Sequence, residues 1–210
     1  MTKDHPQSVT QTWHNRHDYL PAAGHDILLP GYDLLVRVLG MRPAYEQLVA
    51  EAELFDGARV LEIGCGTGNV AMTAKRLSPG AVLTGVDPDP RALARARRKA
   101  RNVAGVRFEP GYAQQLAFPD GSFDRVLSSM MLHHLDPEVK AAAVAEAFRV
   151  LRPGGSLHIV DVVGDRVAVA HGADEIPQIL RSNGFEASEL ARRRLRFVGP
   201  VAFYRGVRPA

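Results

Sequence analysis

The chain has a single cysteine, Cys65, and a single tryptophan, Trp13. One thiol forms no intrachain disulfide, and a cysteine-rich metal site is excluded with it. No apolar run is long enough to cross a bilayer. The opening residues, Met-Thr-Lys-Asp-His-Pro-Gln, lack the apolar core of a secretion signal, so a cytoplasmic protein is expected. Lysine is scarce beside arginine, and 26 basic against 23 acidic residues leave a formal net charge of only +3. A balance this small carries no argument for a nucleic-acid partner. What remains is an ordinary apolar content in 210 residues, enough to bury the core of one domain.

The informative stretch is Arg59-Val-Leu-Glu-Ile-Gly-Cys-Gly-Thr-Gly-Asn69. Val60, Leu61 and Ile63 suit a strand buried on both faces, because such strands read as near-continuous apolar runs. Gly64, Gly66 and Gly68 then allow positive φ and leave no Cβ in the way of a ligand. From Asn69 the pattern is helical, with Val70, Ala74 and Leu77 on one face and Ser78-Pro79-Gly80 as the stop. Strand, glycine turn and helix N-terminus together make a nucleotide-type site at the end of a parallel strand. A dinucleotide turn asks for G-x-G-x-x-G, and here Asn69 stands where its last glycine belongs. Glu62, just before the turn, would repel a pyrophosphate and would suit a ligand bearing an ammonium group.

With these residues in place the chain resembles the class I S-adenosylmethionine (SAM)-dependent methyltransferases, whose first motif is E/D-x-G-x-G-x-G. The likeness runs over about residues 40 to 205 and is closest to small-molecule enzymes of the ubiquinone- and menaquinone-biosynthesis type. It implies a Rossmann-like, doubly wound α/β fold with seven strands in the order 3-2-1-4-5-7-6 and the last strand antiparallel. It also implies SAM as cofactor, with S-adenosylhomocysteine as product. Glu62, Gly64, Cys65, Gly66 and Gly68 would then form the cofactor turn. Ala81 to Val86 reads as the second strand, and Asp87 at its end falls where a ribose-binding acid belongs. A carboxylate can accept from both hydroxyls of a ribose diol. The resemblance gives Pro88 to adenine packing. Gly111-Tyr112-Ala113 falls where the family has Gly-Asp-Ala. Tyr112 departs from that pattern, so adenine would be met by its ring or hydroxyl and by the backbone of Ala113.

Arg125 to Leu132 reads as the fourth strand, and Ser128 approaches its carboxyl end, where open α/β sheets bind ligands. His133 and His134 follow. His133 is the one candidate general base, since imidazole titrates near neutrality; the competing reading is that the pair opens the next helix and packs locally. Asp136 and Pro137 begin that helix, Arg152-Pro-Gly-Gly155 ends it, and Ser156 to Val160 is the fifth strand. Asp174 reads as the N-cap of a helix over residues 176–183, and strands over 185–192 and 195–205 complete the chain. The helix over residues 90–103 carries Arg91, Arg95, Arg97, Arg98, Lys99 and Arg101. No aromatic residue interleaves with these charges for base stacking, so a solvated outer face is expected. Arg192, Arg193, Arg194 and Arg196 read likewise as a charged edge that discourages pairing.

Residues 1–40 are expected to be an N-terminal arm and helix acting as a lid, with Tyr19 over the cofactor or acceptor, and 41–210 the methyltransferase domain. Helices are expected over 32–39 and 44–54. The partner is a small-molecule methyl acceptor. The end of the fourth strand lacks the Asn/Asp-Pro-Pro-aromatic run of many enzymes that methylate nucleic-acid or protein amino groups. No metal and no membrane association are expected. The alternatives are a SAM-binding protein without turnover and a nucleic-acid methyltransferase; Asn69 and Glu62 speak against a dinucleotide-dependent oxidoreductase.

Overall fold

The computed structural model describes residues 40–164 and 174–210. The expected helix over 32–39, and the arm that carries Tyr19, lie outside the described residues. Five α-helices and seven strands follow in the described chain. They are α1 (Arg42–Glu51), β1 (Arg59–Ile63), α2 (Asn69–Leu77), β2 (Val82–Asp87), α3 (Pro90–Ala100) and β3 (Val106–Pro110). Then come β4 (Phe123–Ser129), α4 (Pro137–Val150), β5 (Leu151–Val162), α5 (Glu175–Ser182), β6 (Glu186–Leu195) and β7 (Gly199–Val207).

The strands form one sheet in the order β3-β2-β1-β4-β5-β7-β6. The pairs from β3 through β5 are parallel, and β7 is antiparallel to both β5 and β6. This is the expected fold. β1 is central because it can be buried on both faces: Val60 and Leu61 have no exposed surface, and Ile63 almost none. Alternation along the strands assigns the two faces. One face packs Val60, Leu83, Leu127 and Phe203 with Leu48 of α1 and Ala71 and Ala74 of α2. The other packs Leu61, Val126, Leu157 and Ile159 with Val144 and Ala147 of α4 and Leu180 of α5.

The expected helix over 44–54 is Arg42–Glu51, and Leu195 ends β6 instead of opening the last strand, which begins at Gly199. Three further boundaries move, each for a local reason. β4 ends at Ser129 rather than Leu132, because Met130 takes a left-handed φ of 54° and turns the chain out of the sheet. Leu132–His134 then forms a 3₁₀ turn. β5 begins at Leu151, so Arg152-Pro-Gly-Gly155 lies within the strand as an irregularity instead of before it. Arg208 holds that irregularity: its carbonyl accepts from Gly154 N and its N–H donates to Gly155 O, both at 2.9 Å. α3 stops at Ala100, three residues short of Val103. Asp136 and Asp174 occupy N-cap positions as expected, but neither side chain makes a capping bond. Pro137 opens α4, where a missing N–H costs nothing.

The basic helix is mostly a solvated face, with two exceptions. Arg97 donates to Phe108 O through Nε and Nη2, at 3.1 and 2.8 Å. Lys99 turns toward the glycine turn. Arg192, Arg193 and Arg194 are exposed on β6, which is the edge strand.

Leu48 is fully buried where α1 meets the sheet. Leu48→Ala should lower unfolding stability by about 2–5 kcal/mol, the range for truncating a buried leucine. Urea denaturation checks this, and an unshifted midpoint would mean that α1 does not pack here.

Candidate active site

The carboxyl ends of β1, β2, β3, β4 and β5 share one edge of the sheet, because these strands are parallel. Five short segments gather there: the glycine turn, Asp87–Pro88, Gly111–Ala113, Met130–His134 and Asp161–Val163. Most of the candidate residues sit in this row, which is where open α/β sheets take ligands.

The glycine turn is fixed by its own backbone and by two carboxylates. Gly64 N and Cys65 N both donate to Val86 O, at 2.9 and 3.0 Å, which ties the turn to the end of β2. Gly64, Gly66 and Gly68 have φ of 68°, 49° and 78°. Only glycine takes such values without strain, and Gly68 uses its own to cap α2. A Cβ at Gly64 would lie 2.5 Å from Met131 Cγ, and one at Gly68 2.8 Å from Phe108 Cζ.

Asp87 is nearly buried, and both its oxygens accept backbone N–H bonds. Gly66 N donates to Oδ2 at 2.7 Å and Asp89 N to Oδ1 at 2.9 Å. Burial raises its carboxyl above the usual range, while these two bonds pull the other way. The oxygens keep lone pairs for further donors. Pro88 beside it is partly exposed. Asp89 caps α3 through Oδ1, which accepts from Arg91 N at 2.8 Å; its Oδ2 is buried with no partner.

The Glu62 side chain is buried, and Oε2 accepts from Ala71 N at 2.9 Å in the first turn of α2. Alternation along β1 places it on the face that α2 covers, so through Oε2 it fastens the helix to the strand. Burial raises its carboxyl to about 8, opposed by the Ala71 bond and reinforced by Asp87. Lys99 Nζ reaches Thr67 Oγ1 at 3.2 Å and Asn69 Oδ1 at 2.8 Å, a second clamp on the turn. Cys65 lies in the turn as expected, but burial pushes its thiol well above the ordinary value and leaves it unreactive.

Tyr112 and Ala113 follow β3 and are half-buried; Tyr112 forms a one-residue bridge with Gln115. Ser128, near the end of β4, is buried with its hydroxyl unpaired, and Ser129 Oγ is likewise unpaired. Beside Ser128 is an apolar crevice lined by Ile63, Met131, Leu132, Val144 and Ile159. His133 pairs with Asp161, a residue the sequence reading passed over: Nδ1 lies 2.5 Å from Asp161 Oδ1. No group of three or more metal-binding side chains occurs among the described residues.

SAM is the group that this edge is expected to take, and the residues present fit it. Asp87 stands at the end of β2 with acceptor capacity for two hydroxyls. The turn beside it has no Cβ at three positions. Asp89 Oδ2 and Ser128 Oγ are buried acceptors that lack donors. Orphan polar atoms of this kind are rare and cluster at functional sites.

The fold is a Rossmann-like domain with the glycine turn and Asp87 joined at the ends of β1 and β2. Residues 60–155 match the family described as Methyltransferase domain. Over this segment, slightly less than half of its length, the chain is similar to methyltransferase domains. Among curated proteins it is 36% identical over 138 residues to a demethylmenaquinone methyltransferase of Deinococcus radiodurans, covering 64% of this chain and 56% of that one. It is 41% identical over 111 residues to a fatty-acid O-methyltransferase of Mycolicibacterium smegmatis, covering 53% and 39%. The chain therefore spans about half the length of these relatives. Among solved structures the YcgJ protein of Bacillus subtilis superposes with a TM-score of 0.71 at 19% identity, over 80% of this chain and 99% of that one. That likeness concerns the fold alone.

The raised Glu62 carboxyl predicts a pH dependence. A group that holds its proton more tightly when folded stabilises the fold below its unfolded value of 4.5. That contribution is lost as the pH rises through about 8. The protein should therefore lose stability from about pH 5 to 8, and Glu62→Gln, which keeps an acceptor for Ala71 N, should flatten the loss. Melting curves across this range check it; parallel curves for the two proteins would contradict it.

Proposed function

We propose that this protein transfers a methyl group from SAM to a small-molecule acceptor by direct displacement. The observation that supports the reading most is Asp87, a buried carboxylate bonded to the glycine turn at the end of β2. It joins the ribose-binding acid and the cofactor turn in one unit. In this reading the backbone of Gly64 to Gly68 receives the amino-acid part of the cofactor, Asp87 its ribose, and Pro88, Tyr112 and the Ala113 backbone its adenine. When bound, SAM supplies a sulfonium-activated methyl group. The chain then has to orient the acceptor and keep bulk water out, and orientation alone supplies much of the rate in such reactions. Acceptor binding falls to the ends of β4 and β5, where Ser128, Met131 and His133 stand on neighbouring segments.

Relatives named for a demethylated menaquinone and for a fatty acid both support a small, partly apolar acceptor. The absence of an Asn/Asp-Pro-Pro-aromatic run at the end of β4 supports it as well. A second reading, a SAM-binding protein without turnover, is favoured by one contact. Met131 already lies against Gly64, over the turn that the cofactor would use.

Calorimetry with SAM and with NADH, followed by S-adenosylhomocysteine release on a panel of a demethylmenaquinol, a long-chain fatty acid and tRNA, tests the proposal. SAM binding without NADH binding, and turnover on one of the small molecules, is expected. Binding with no turnover would favour the second reading, and best turnover on tRNA would overturn the small-molecule acceptor. Asp87→Ala should weaken SAM binding at least tenfold, because bonds to a charged acceptor contribute about 1.5–3 kcal/mol each. Unchanged affinity in a folded variant would remove Asp87 from the site.

A further inference from the structure

The reading above leaves a buried acid without a task. Asp161 has no exposed surface, yet it lies at the acceptor end of β5. A carboxylate in such a place is costly unless its oxygens are bonded. Two of its bonds come from one neighbour. His133 donates its backbone N–H to Oδ2 at 3.2 Å, and its ring Nδ1 lies 2.5 Å from Oδ1. Val162 N adds a bond to Oδ1 at 2.8 Å. A carboxylate only accepts, so Nδ1 carries a ring proton, and in the neutral ring the lone pair is then on Nε2.

The placement of the ring follows from the turn after β4. Met130 N donates to Val160 O, which holds the turn to β5. Met131 lies over Gly64, and His133 comes two residues later. The imidazole therefore stands against the end of β5, on the segment whose Met131 meets the glycine turn. It retains 9% of its side-chain surface, and Nε2 has no hydrogen-bond partner among the described residues. Two other histidines serve as comparison. His158 is buried against Ser156 Oγ, earlier on β5 and on the opposite face of the sheet. His134 lies against His133, with ring centroids 3.8 Å apart.

We propose that His133 is the general base of the acceptor site and that Asp161 positions it. It follows that the acceptor presents a nucleophile that must lose a proton, a phenolic or enolic hydroxyl, and not a ready anion such as a free carboxylate. This rests on the methyltransferase reading. In the step, the acceptor O–H bond breaks, its electron pair stays on oxygen, and the proton forms a new N–H bond at Nε2. The enolate so formed takes up the methyl group at oxygen, or at the conjugated ring carbon of a demethylmenaquinol, whose C–H proton then passes to the oxygen, while the carbon–sulfur pair returns to sulfur. The positive charge lost at the sulfonium reappears on the imidazolium, beside Asp161, and leaves as a proton to solvent. A buried carboxylate on Nδ1 fixes the tautomer and steadies the imidazolium that forms.

The test uses the full chain with His133→Gln and Asp161→Asn, a demethylmenaquinol and a long-chain fatty acid as acceptors, and ¹⁵N NMR of the histidine rings. SAM affinity of each variant should match the wild type. Turnover on the hydroxyl-bearing acceptor should fall at least a hundredfold in His133→Gln and at least tenfold in Asp161→Asn, with KM little changed. The His133 ring should carry its proton on Nδ1 in the wild type and lose that preference in Asp161→Asn, a signature that a purely structural aspartate would not give. Wild-type turnover in His133→Gln overturns the base while leaving the methyltransferase reading intact. Faster wild-type turnover on the fatty acid overturns the hydroxyl acceptor. If neither acceptor is methylated, the ring decides: protonation on Nε2 overturns the proposal and protonation on Nδ1 supports it. Failure of the wild type to bind SAM removes the reading and the base together.

Discussion

The Asp87 carboxylate bridges two backbone N–H groups, Gly66 in the cofactor turn and Asp89 at the entry to α3. Much of the site depends on this bridge. The turn has three residues in left-handed conformations, which hold a shape only when bonded from outside. The same acid joins β2 to the helix that follows it. Two further clamps act on the turn from behind: Glu62 on the first turn of α2, and Lys99 of α3 on Thr67 and Asn69. A carboxylate that is already bonded and shielded needs little reorganisation to accept hydroxyls. Preorganised groups of this sort account for much of what an enzyme gains from its binding site.

The site has two halves with different character. Around β1 and β2 it is dense with backbone bonds and buried acids. Around β4 and β5 it is apolar, with Met131, Leu132 and Ile159 beside unpaired Ser128 and the His133–Asp161 pair. Division of labour along the sheet edge follows from topology. Strand order reverses direction between β1 and β4, and each half is furnished by the loops on its own side.

Much of this was legible in the sequence because it depends on local patterns. The apolar run of β1, the alternate glycines and the acid at the end of β2 each declare themselves within a few residues. Strand order came from the family resemblance. The bond from Glu62 to α2 was not legible for a physical reason: residue type shows a carboxylate beside the turn but not which face of the strand it leaves from. Alternation places Glu62 with Val60 on the face that α2 covers, and the helix takes it. β4 was overextended because Met130, Met131 and Leu132 are apolar, and nothing in their identity announces the left-handed φ of Met130. Asp161 stayed hidden since its partner is 28 residues away on another segment. A signal was available: an acid directly after the apolar run of β5 mirrors Asp87 after β2.

The central claim is that SAM binds across the ends of β1 and β2 with its ribose on Asp87. A crystal structure with S-adenosylhomocysteine tests this most directly. The account predicts both ribose hydroxyls within hydrogen-bond distance of the Asp87 oxygens, the amino-acid part along Gly64 to Gly68, and Met131 displaced from Gly64. Density for the ligand elsewhere, or a ribose that leaves Asp87 untouched, would contradict it.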